Sequence, residues 1–361
     1  MTDFIVIGGG IAGVSAAARL SELGQVLLIE RERHLAFHAS GRSAAMFEKS
    51  YGKPSVVALN EASHEFHASA DGGVLSPRGL MLLGLTGEDD AFEADLQTLK
   101  LEEISMDEAV DHVPVLNTKT VDRAAYHAEA WDLDTDRLIQ FFLRHLTSNG
   151  GSVISNSGVT RIERTRQGWV VHTSQRTFHG APYLVNAAGA WVDQIALMAR
   201  IPPIGVTPCR RSMGRIPAPG NHDVSRWPMM MGTAESWYAK PDAGALIVSP
   251  ADEDPVDPHD AFAEDLTLAE GMARYQACVT EPVTRLLANW AGLRTFAPDR
   301  ELVLGPDPLD PSFIWCAGQG GYGFQTAPAA SQLLADVVSG RPADVGKEMA
   351  DRLSPARFRR G

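Results

Sequence analysis

Three consecutive glycines, Gly8-Gly9-Gly10, follow the apolar run Phe4-Ile5-Val6-Ile7, and Gly13 comes three residues later. A second apolar run, Val26-Leu27-Leu28-Ile29, ends on Glu30, twenty residues after Gly10. The order predicts strand, tight glycine turn, helix over about 11–23, strand, acid. Gly8 allows the sharp turn, Gly10 lets a phosphate approach the backbone, and Gly13 lets the helix pack on the strand. The first residues of the helix, Ile11 and Ala12, present unpaired N–H groups and a partial positive charge. Glu30 stands at the distance from which an acid binds a ribose hydroxyl, with Arg31 beside it. The stretch therefore predicts a dinucleotide site.

The chain has 361 residues, more than a single core normally serves, so two domains are expected. A formal net charge of −13 disfavours nucleic acid and anionic membranes as partners. Cys209, Cys278 and Cys316 are odd in number and far apart, which points to a reducing compartment without a disulfide framework. The first strand begins by about Asp3 or Phe4, and no apolar run reaches eighteen residues. No cleaved leader and no integral membrane segment are expected, and the location expected is the cytoplasm.

Two further strand-to-glycine junctions follow. One is Leu184-Val185-Asn186-Ala187-Ala188-Gly189-Ala190-Trp191. The other runs from Phe313-Ile314-Trp315-Cys316 into Ala317-Gly318-Gln319-Gly320-Gly321-Tyr322-Gly323, ahead of a helix from about Thr326 to Ser339. Helical spacing is read over 54–69, 89–100, 134–146 and 266–279, and strands over 79–85, 208–216, 236–240 and 246–249. The acidic, proline-interrupted stretch Asp252–Asp260 is read as a solvated surface loop. The three junctions imply one cofactor domain interrupted twice.

Together these motifs resemble the D-amino-acid-oxidase-like class of FAD enzymes, which also holds sarcosine and glycine oxidases. Ser40-Gly41-Arg42-Ser43-Ala44-Ala45, Arg210-Arg211-Ser212, Tyr238-x-Lys240-Pro241-Asp242-Ala243-Gly244 and Trp290-Ala291-Gly292-Leu293-Arg294 resemble bacterial D-arginine, or broad D-amino acid, dehydrogenases. The resemblance covers nearly the whole chain. It implies an α/β fold: a Rossmann-like FAD-binding domain (1–79, 141–204 and 291–361) interrupted by an antiparallel-sheet substrate domain (80–140 and 205–290). It also implies FAD rather than a nicotinamide. Ser40, Arg42, Ser43 and Ala44 would line the flavin, and Val159 would reach the adenine side. Ala188, Gly189 and Trp191 would add a second wall. Gly318, Gly320, Gly321, Tyr322, Gly323, Phe324, Gln325 and Thr326 would form the turn and helix start that face the flavin's pyrimidine end, where a partial positive charge stabilises the anion formed on reduction. No cysteine is close to Arg294 in the sequence, so the FAD is expected to be non-covalent.

The implied chemistry is oxidative deamination of a D-amino acid. Hydride leaves Cα for flavin N5, and the imine hydrolyses to a 2-oxo acid and ammonia. Arg211 and Arg294 match the carboxylate-binding arginines, whose planar fork suits a carboxylate. Tyr51 and Tyr238 match the tyrosines that bond the carboxylate and shield the site. Gln325 and the carbonyl of Gly321 match groups near the substrate amine. Leu80 replaces a glutamate of the D-arginine enzymes and Met46 a histidine. With Met229 and Met231 they predict a pocket for a neutral or hydrophobic side chain, because a cationic one would be desolvated without compensation. Glu48 and Lys53 lie nearby as groups that would restore polarity. The electron acceptor is left open among a quinone, an electron-transfer protein and O2.

The alternatives are a flavin enzyme for a secondary amino acid of the sarcosine or glycine type, or for a 2-hydroxy acid, and a non-catalytic flavoprotein that binds a carboxylate ligand. No metal is expected. His64 and His67 share a helix face without a third ligand, and the Asp252–Asp260 run lacks the glycine of a calcium loop. Cys316 is read as core, and no G-x-S-x-G supports a hydrolase.

Overall fold

The computed structural model describes residues 2–359. Its first sheet has six strands, in the order Val303–Pro306, Phe313–Ala317, Tyr183–Asn186, Phe4–Ile7, Val26–Ile29, Ser152–Ile154. All neighbours are parallel except the first pair. The sequence reason is plain in Phe4–Ile7. Phe4 and Val6 join the core under the helices Ile11–Leu20, Thr135–Ser148 and Gly323–Ser339. Ile5 and Ile7 join a second core, beneath the helix Val192–Met198 and the three-stranded antiparallel sheet spanning 159–181. A strand covered on both faces must be apolar throughout, as this one is.

The second sheet has nine strands. Its order is Asp254–Pro255, Thr207–Pro217, Ala245–Ser249, Tyr238–Asp242, Met229–Gly232, Leu80–Leu85, Val121–His127, Glu102–Ile104, with Ala288–Phe296 paired along Thr207–Pro217. It is antiparallel apart from the pairing of Met229–Gly232 with Leu80–Leu85. A small sheet of Met46–Glu48, Ala130–Leu133 and Leu75–Pro77 connects the two halves.

Several elements differ from expectation. The first helix stops at Leu20, and the one expected from Thr326 begins three residues earlier, at Gly323. The strands 159–165 and 177–181 close a small sheet that their sequence hardly signals. The boundaries at 141 and 291 fall inside the helix Thr135–Ser148 and the strand Ala288–Phe296. We therefore propose the same two-part division with its joints moved to the ends of those elements.

One buried histidine ties the halves of the cofactor side together. His67, on the helix Pro54–Ser69, is fully buried, and its Nε2 bonds the carbonyl of Gln325 at 2.9 Å. Burial holds its pKa down at about 4. The folded protein thus favours neutral imidazole more than the unfolded chain does. That preference stabilises fully above pH ~6.5 and is lost as pH falls toward 4, by about 3 kcal/mol. Chemical unfolding between pH 7 and 4 is expected to show this loss in the native protein and not in His67→Gln. Parallel pH curves for the two proteins would refute it.

Candidate functional site

The glycine turn opens one end of a cleft of about 500 Å³, within the size range of cofactor sites. Gly8 has φ +112°, and a Cβ there would strike the carbonyl of Ala187, while a Cβ on Gly13 would strike the carbonyl of Gly8. Both obstacles are backbone, so strand and helix approach as closely as they do only because these residues are glycines. The helices starting at Ile11 and Gly323 have no side-chain cap and no acid in the first turn. Ser40 stands by the first, its Oγ accepting the Ile11 N–H at 3.0 Å. Glu30 is buried at the cleft wall, each carboxylate oxygen accepting one backbone N–H, from Gly9 at 2.6 Å and from Glu32 at 2.7 Å. The Arg31 guanidinium lies 4.8 Å from the ring centre of Trp191.

Nearly all the residues expected to hold the cofactor face this cleft. Gly8, Gly10, Ile11, Ala12, Glu30 and Arg31 line one end with Val159. Ser40, Arg42, Ser43 and Ala44 line it further along, with Ala188, Gly189 and Trp191. Gly318, Gly320, Gly321, Gly323 and Phe324 complete it. Gly13, Tyr322, Gln325 and Thr326 stand behind that wall. The Gln325 side chain accepts the Glu48 N–H at 2.7 Å, and Thr326 Oγ1 donates to the Tyr322 carbonyl at 3.0 Å.

At the far end of the cleft the second sheet delivers two guanidinium groups. Arg211 pairs in register with Gly292, and Arg294 follows two residues later on that strand. Residues two apart share a strand face, so the two arginines are diagonal neighbours on the side facing the cleft. Gly321 has no Cβ there; one would lie 2.9 Å from Arg294 Cζ, so the guanidinium lies directly on the glycine backbone. Tyr51 is close to both: Arg294 Nη1 is 3.4 Å from its oxygen. Burial lifts the Tyr51 hydroxyl well above the usual tyrosine range, so it remains a donor. The Tyr238 hydroxyl and Arg211 Nε are buried and have no hydrogen-bond partner among the described residues.

A carboxylate already sits among these donors, and it belongs to Glu235. Arg211 Nη1 donates to it at 2.8 Å and Tyr51 donates at 2.9 Å, with Arg294 Nη1 at 3.6 Å. Burial raises the Glu235 pKa, but the arginines outweigh it and hold the group ionised, below the ordinary glutamate range. Nothing in the sequence singled this residue out. Glu235 lies three residues before Tyr238, and that proximity to a matched tyrosine is the only signal available.

Close to the arginines, outside the lining of the cleft itself apart from Met213, is an apolar wall. Leu80 and Met231 are buried in one cluster with Tyr238 and Met213, and Met46, Met229 and Tyr51 pack against it. Met229 and Met231 share a strand face, and Met230 points to a different core. Of the charges adjoining this wall, Lys240 is paired with a carboxylate, and Glu48 Oε2 is buried without a hydrogen-bond partner among the described residues. Glu48 faces His127 at 3.0 Å, and Lys240 faces Asp132 at 2.7 Å. Lys53 points away and donates to the Asp299 carbonyl.

Two expectations need correction. Asp252–Asp260 is not simply solvated. Strand alternation sends Arg210 and Ser212 to the face opposite Arg211, and Asp252, with a side chain 5% exposed, takes hydrogen bonds from both. Asp254 and Glu264 also pair with Arg210, Glu253 with Arg300 and Asp260 with Arg42. And a cysteine is near Arg294 after all. Cys209 stands directly across from it in the strand register, buried and outside the cleft lining, a proximity that 84 intervening positions conceal. Cys316 lines the cleft from its strand, its thiol pushed up to about 12 by burial. No group of three or more His, Cys, Asp or Glu among the described residues is placed to hold a metal ion, and no helix among them is long and apolar enough to cross a membrane.

The DAO family model, described as FAD dependent oxidoreductase, matches residues 3–337. Monomeric sarcosine oxidase from Streptomyces avermitilis is 25% identical, with 93% of each chain covered. Glycine oxidase from Pseudomonas aeruginosa is 27% identical, with 93% of this chain and 94% of that one covered. Among solved structures, L-proline dehydrogenase from P. horikoshii superposes with a TM-score of 0.84 at 21% identity, over 100% of this chain and 98% of that one. A glycine-cradled dinucleotide cleft with an acid at the ribose distance fits the cofactor of that family. The chain belongs to the DAO family of FAD-dependent oxidoreductases.

Proposed function

We propose that the protein oxidises α-amino acids with neutral or hydrophobic side chains at the C–N bond, with primary D-amino acids as its first substrate class. The observation that carries this reading is the meeting of Arg211, Arg294, Tyr51 and Tyr238 beside a wall of Met46, Leu80, Met229 and Met231. FAD, when bound, supplies the two-electron acceptor. Gly8 to Gly13, Glu30, Arg31 and the helix start at Gly323 would hold it, without a covalent bond.

The protein's own groups do the rest. Arg294 and Arg211 bind the substrate carboxylate through charge-assisted hydrogen bonds, and Tyr51 and Tyr238 donate to it through their hydroxyls. With the carboxylate fixed, Cα and its nitrogen have one orientation, which supplies much of the rate by placement. The Gly321 carbonyl is the group proposed for the amine, and Gln325, whose side chain accepts the Glu48 N–H, supports that wall from behind. Lys240 is paired with Asp132, and the apolar surface of the wall leaves a cationic side chain to be desolvated there.

A second reading, oxidation of a secondary amino acid, is favoured by the relatives named above, which include a sarcosine oxidase and an L-proline dehydrogenase. Anaerobic addition of substrates to the holoenzyme separates the readings. D-Methionine, D-leucine and D-phenylalanine are expected to bleach the flavin band faster than D-arginine and D-lysine. Faster bleaching by the basic pair would refute the apolar wall. Bleaching by sarcosine or proline alone would install the second reading. No bleaching by any amine or hydroxy acid would leave a carboxylate-binding flavoprotein.

A further inference from the structure

The turn Thr233–Glu235 is an unusual piece of backbone. Ala234 and Glu235 have φ of 53° and 51°, two successive non-glycine residues in the left-handed region. Such residues persist only where surrounding contacts over-determine them. Here the contacts come from the helix Asp89–Leu99 and the residue before it. Asp95 accepts the Ala234 N–H at 2.6 Å, and Glu88 accepts from the Thr233 hydroxyl at 2.7 Å. The effect of this conformation is to aim the Glu235 carboxylate at Arg211, Tyr51 and Arg294. Those are the donors that the reading above assigns to the substrate carboxylate. The two anions cannot use them together.

We propose that Glu235 is a built-in competitor for the substrate carboxylate. Its carboxylate occupies the substrate-carboxylate seat, and an incoming substrate binds by exchanging with it. The inference rests on the carboxylate-clamp part of the proposed function. Glu235 fills the seat incompletely: Tyr238 Oη and Arg211 Nε remain without partners, and Arg294 Nη1 stands 3.6 Å away. A free carboxylate pairs with both guanidinium groups and displaces it. A neutral amide or ester has no charge with which to compete for the arginines. The cost of displacing Glu235 falls on acid and amide alike, and the charge of the two arginines is what makes the acid the tighter ligand.

The test needs no turnover. 4-Methylpentanoate has the carboxylate and side chain of leucine but no amine to oxidise. It and its neutral amide are titrated into oxidised holoenzyme, and flavin absorbance reports binding. In Glu235→Ala, the acid is expected to bind at least about tenfold tighter and the amide also measurably tighter, since the seat is vacated. An acid affinity unchanged or weakened would overturn the proposal. So would a gain confined to the acid, which would reduce Glu235 to a charge acting through space. Should Glu235→Ala fail to retain FAD, Asp95→Ala provides the same test, because it releases the turn and leaves the glutamate in place. It is expected to tighten both ligands by a smaller factor, and no tightening would count against exchange. Failure to oxidise any amino acid would refute the proposed reaction without touching these titrations.

Discussion

Replacing Arg294 by alanine is expected to lower kcat/KM for the best substrate by about a thousandfold, with FAD still bound. Of the two guanidinium groups, this is the one with charge to spare. Arg211 is matched by Glu235 at 2.8 Å and by Glu253 at 3.8 Å, whereas Arg294 has only the 3.6 Å approach of Glu235 and the Tyr51 oxygen at 3.4 Å. A bidentate pair with a carboxylate in a site closed to water is worth about 4 kcal/mol in the transition state, which is about three powers of ten in rate. Arg294→Lys is expected to recover only part of this, since an ammonium cannot offer two parallel donors. Steady-state kinetics and the affinity for 4-methylpentanoate should fall together. A variant within about tenfold of the native enzyme would remove Arg294 from the clamp. Arg211→Ala makes an informative contrast. It strips the partner from Glu235, so it is expected to lower stability as well as activity.

The second large effect is expected at the opposite end of the cleft. Gly13→Val should yield protein that purifies without FAD and has lost about 3 kcal/mol of stability. A side chain at Gly13 meets the carbonyl of Gly8, and the wall beyond it is Ala187. Neither can rotate out of the way. The helix must lift off the sheet, which moves its N-terminal N–H groups away from where a pyrophosphate would lie. Flavin absorbance per protein and the urea midpoint would measure both losses. Near-stoichiometric FAD in the variant would show that the close approach is not what the cofactor requires.

The sequence was most informative where a constraint is local. Gly8, Gly10 and Gly13 are needed by a turn six residues long, and Glu30 follows at the end of the next strand, so cofactor class and first unit were open to inspection. The apolar wall was nearly as legible, because Leu80 and Met46 could be read against a family pattern. What stayed hidden depends on partners distant in the chain. Glu235 reaches Arg211 and Tyr51 through a left-handed turn whose cause is Asp95 and Glu88, about 140 residues earlier. The acids of Asp252–Asp260 read as solvated, because their cations, Arg210, Arg300 and Arg42, come from three distant parts of the chain. Cys209 opposite Arg294 is a fact of register. No spacing in the sequence announces a pairing between strands separated by a whole subdomain.

The strand Phe313–Ala317 lies inside the first sheet, between Val303–Pro306 and Tyr183–Asn186, and the residues after it complete the cofactor cleft. During synthesis this strand emerges after both the glycine turn and Tyr183–Asn186. Until then Tyr183–Asn186 has an open edge, and Arg294 has no Gly321 to lie on. A nascent chain can assemble its glycine turn early, but it has only half a grip on FAD. The cleft is therefore complete for a dinucleotide only once this strand has closed the sheet.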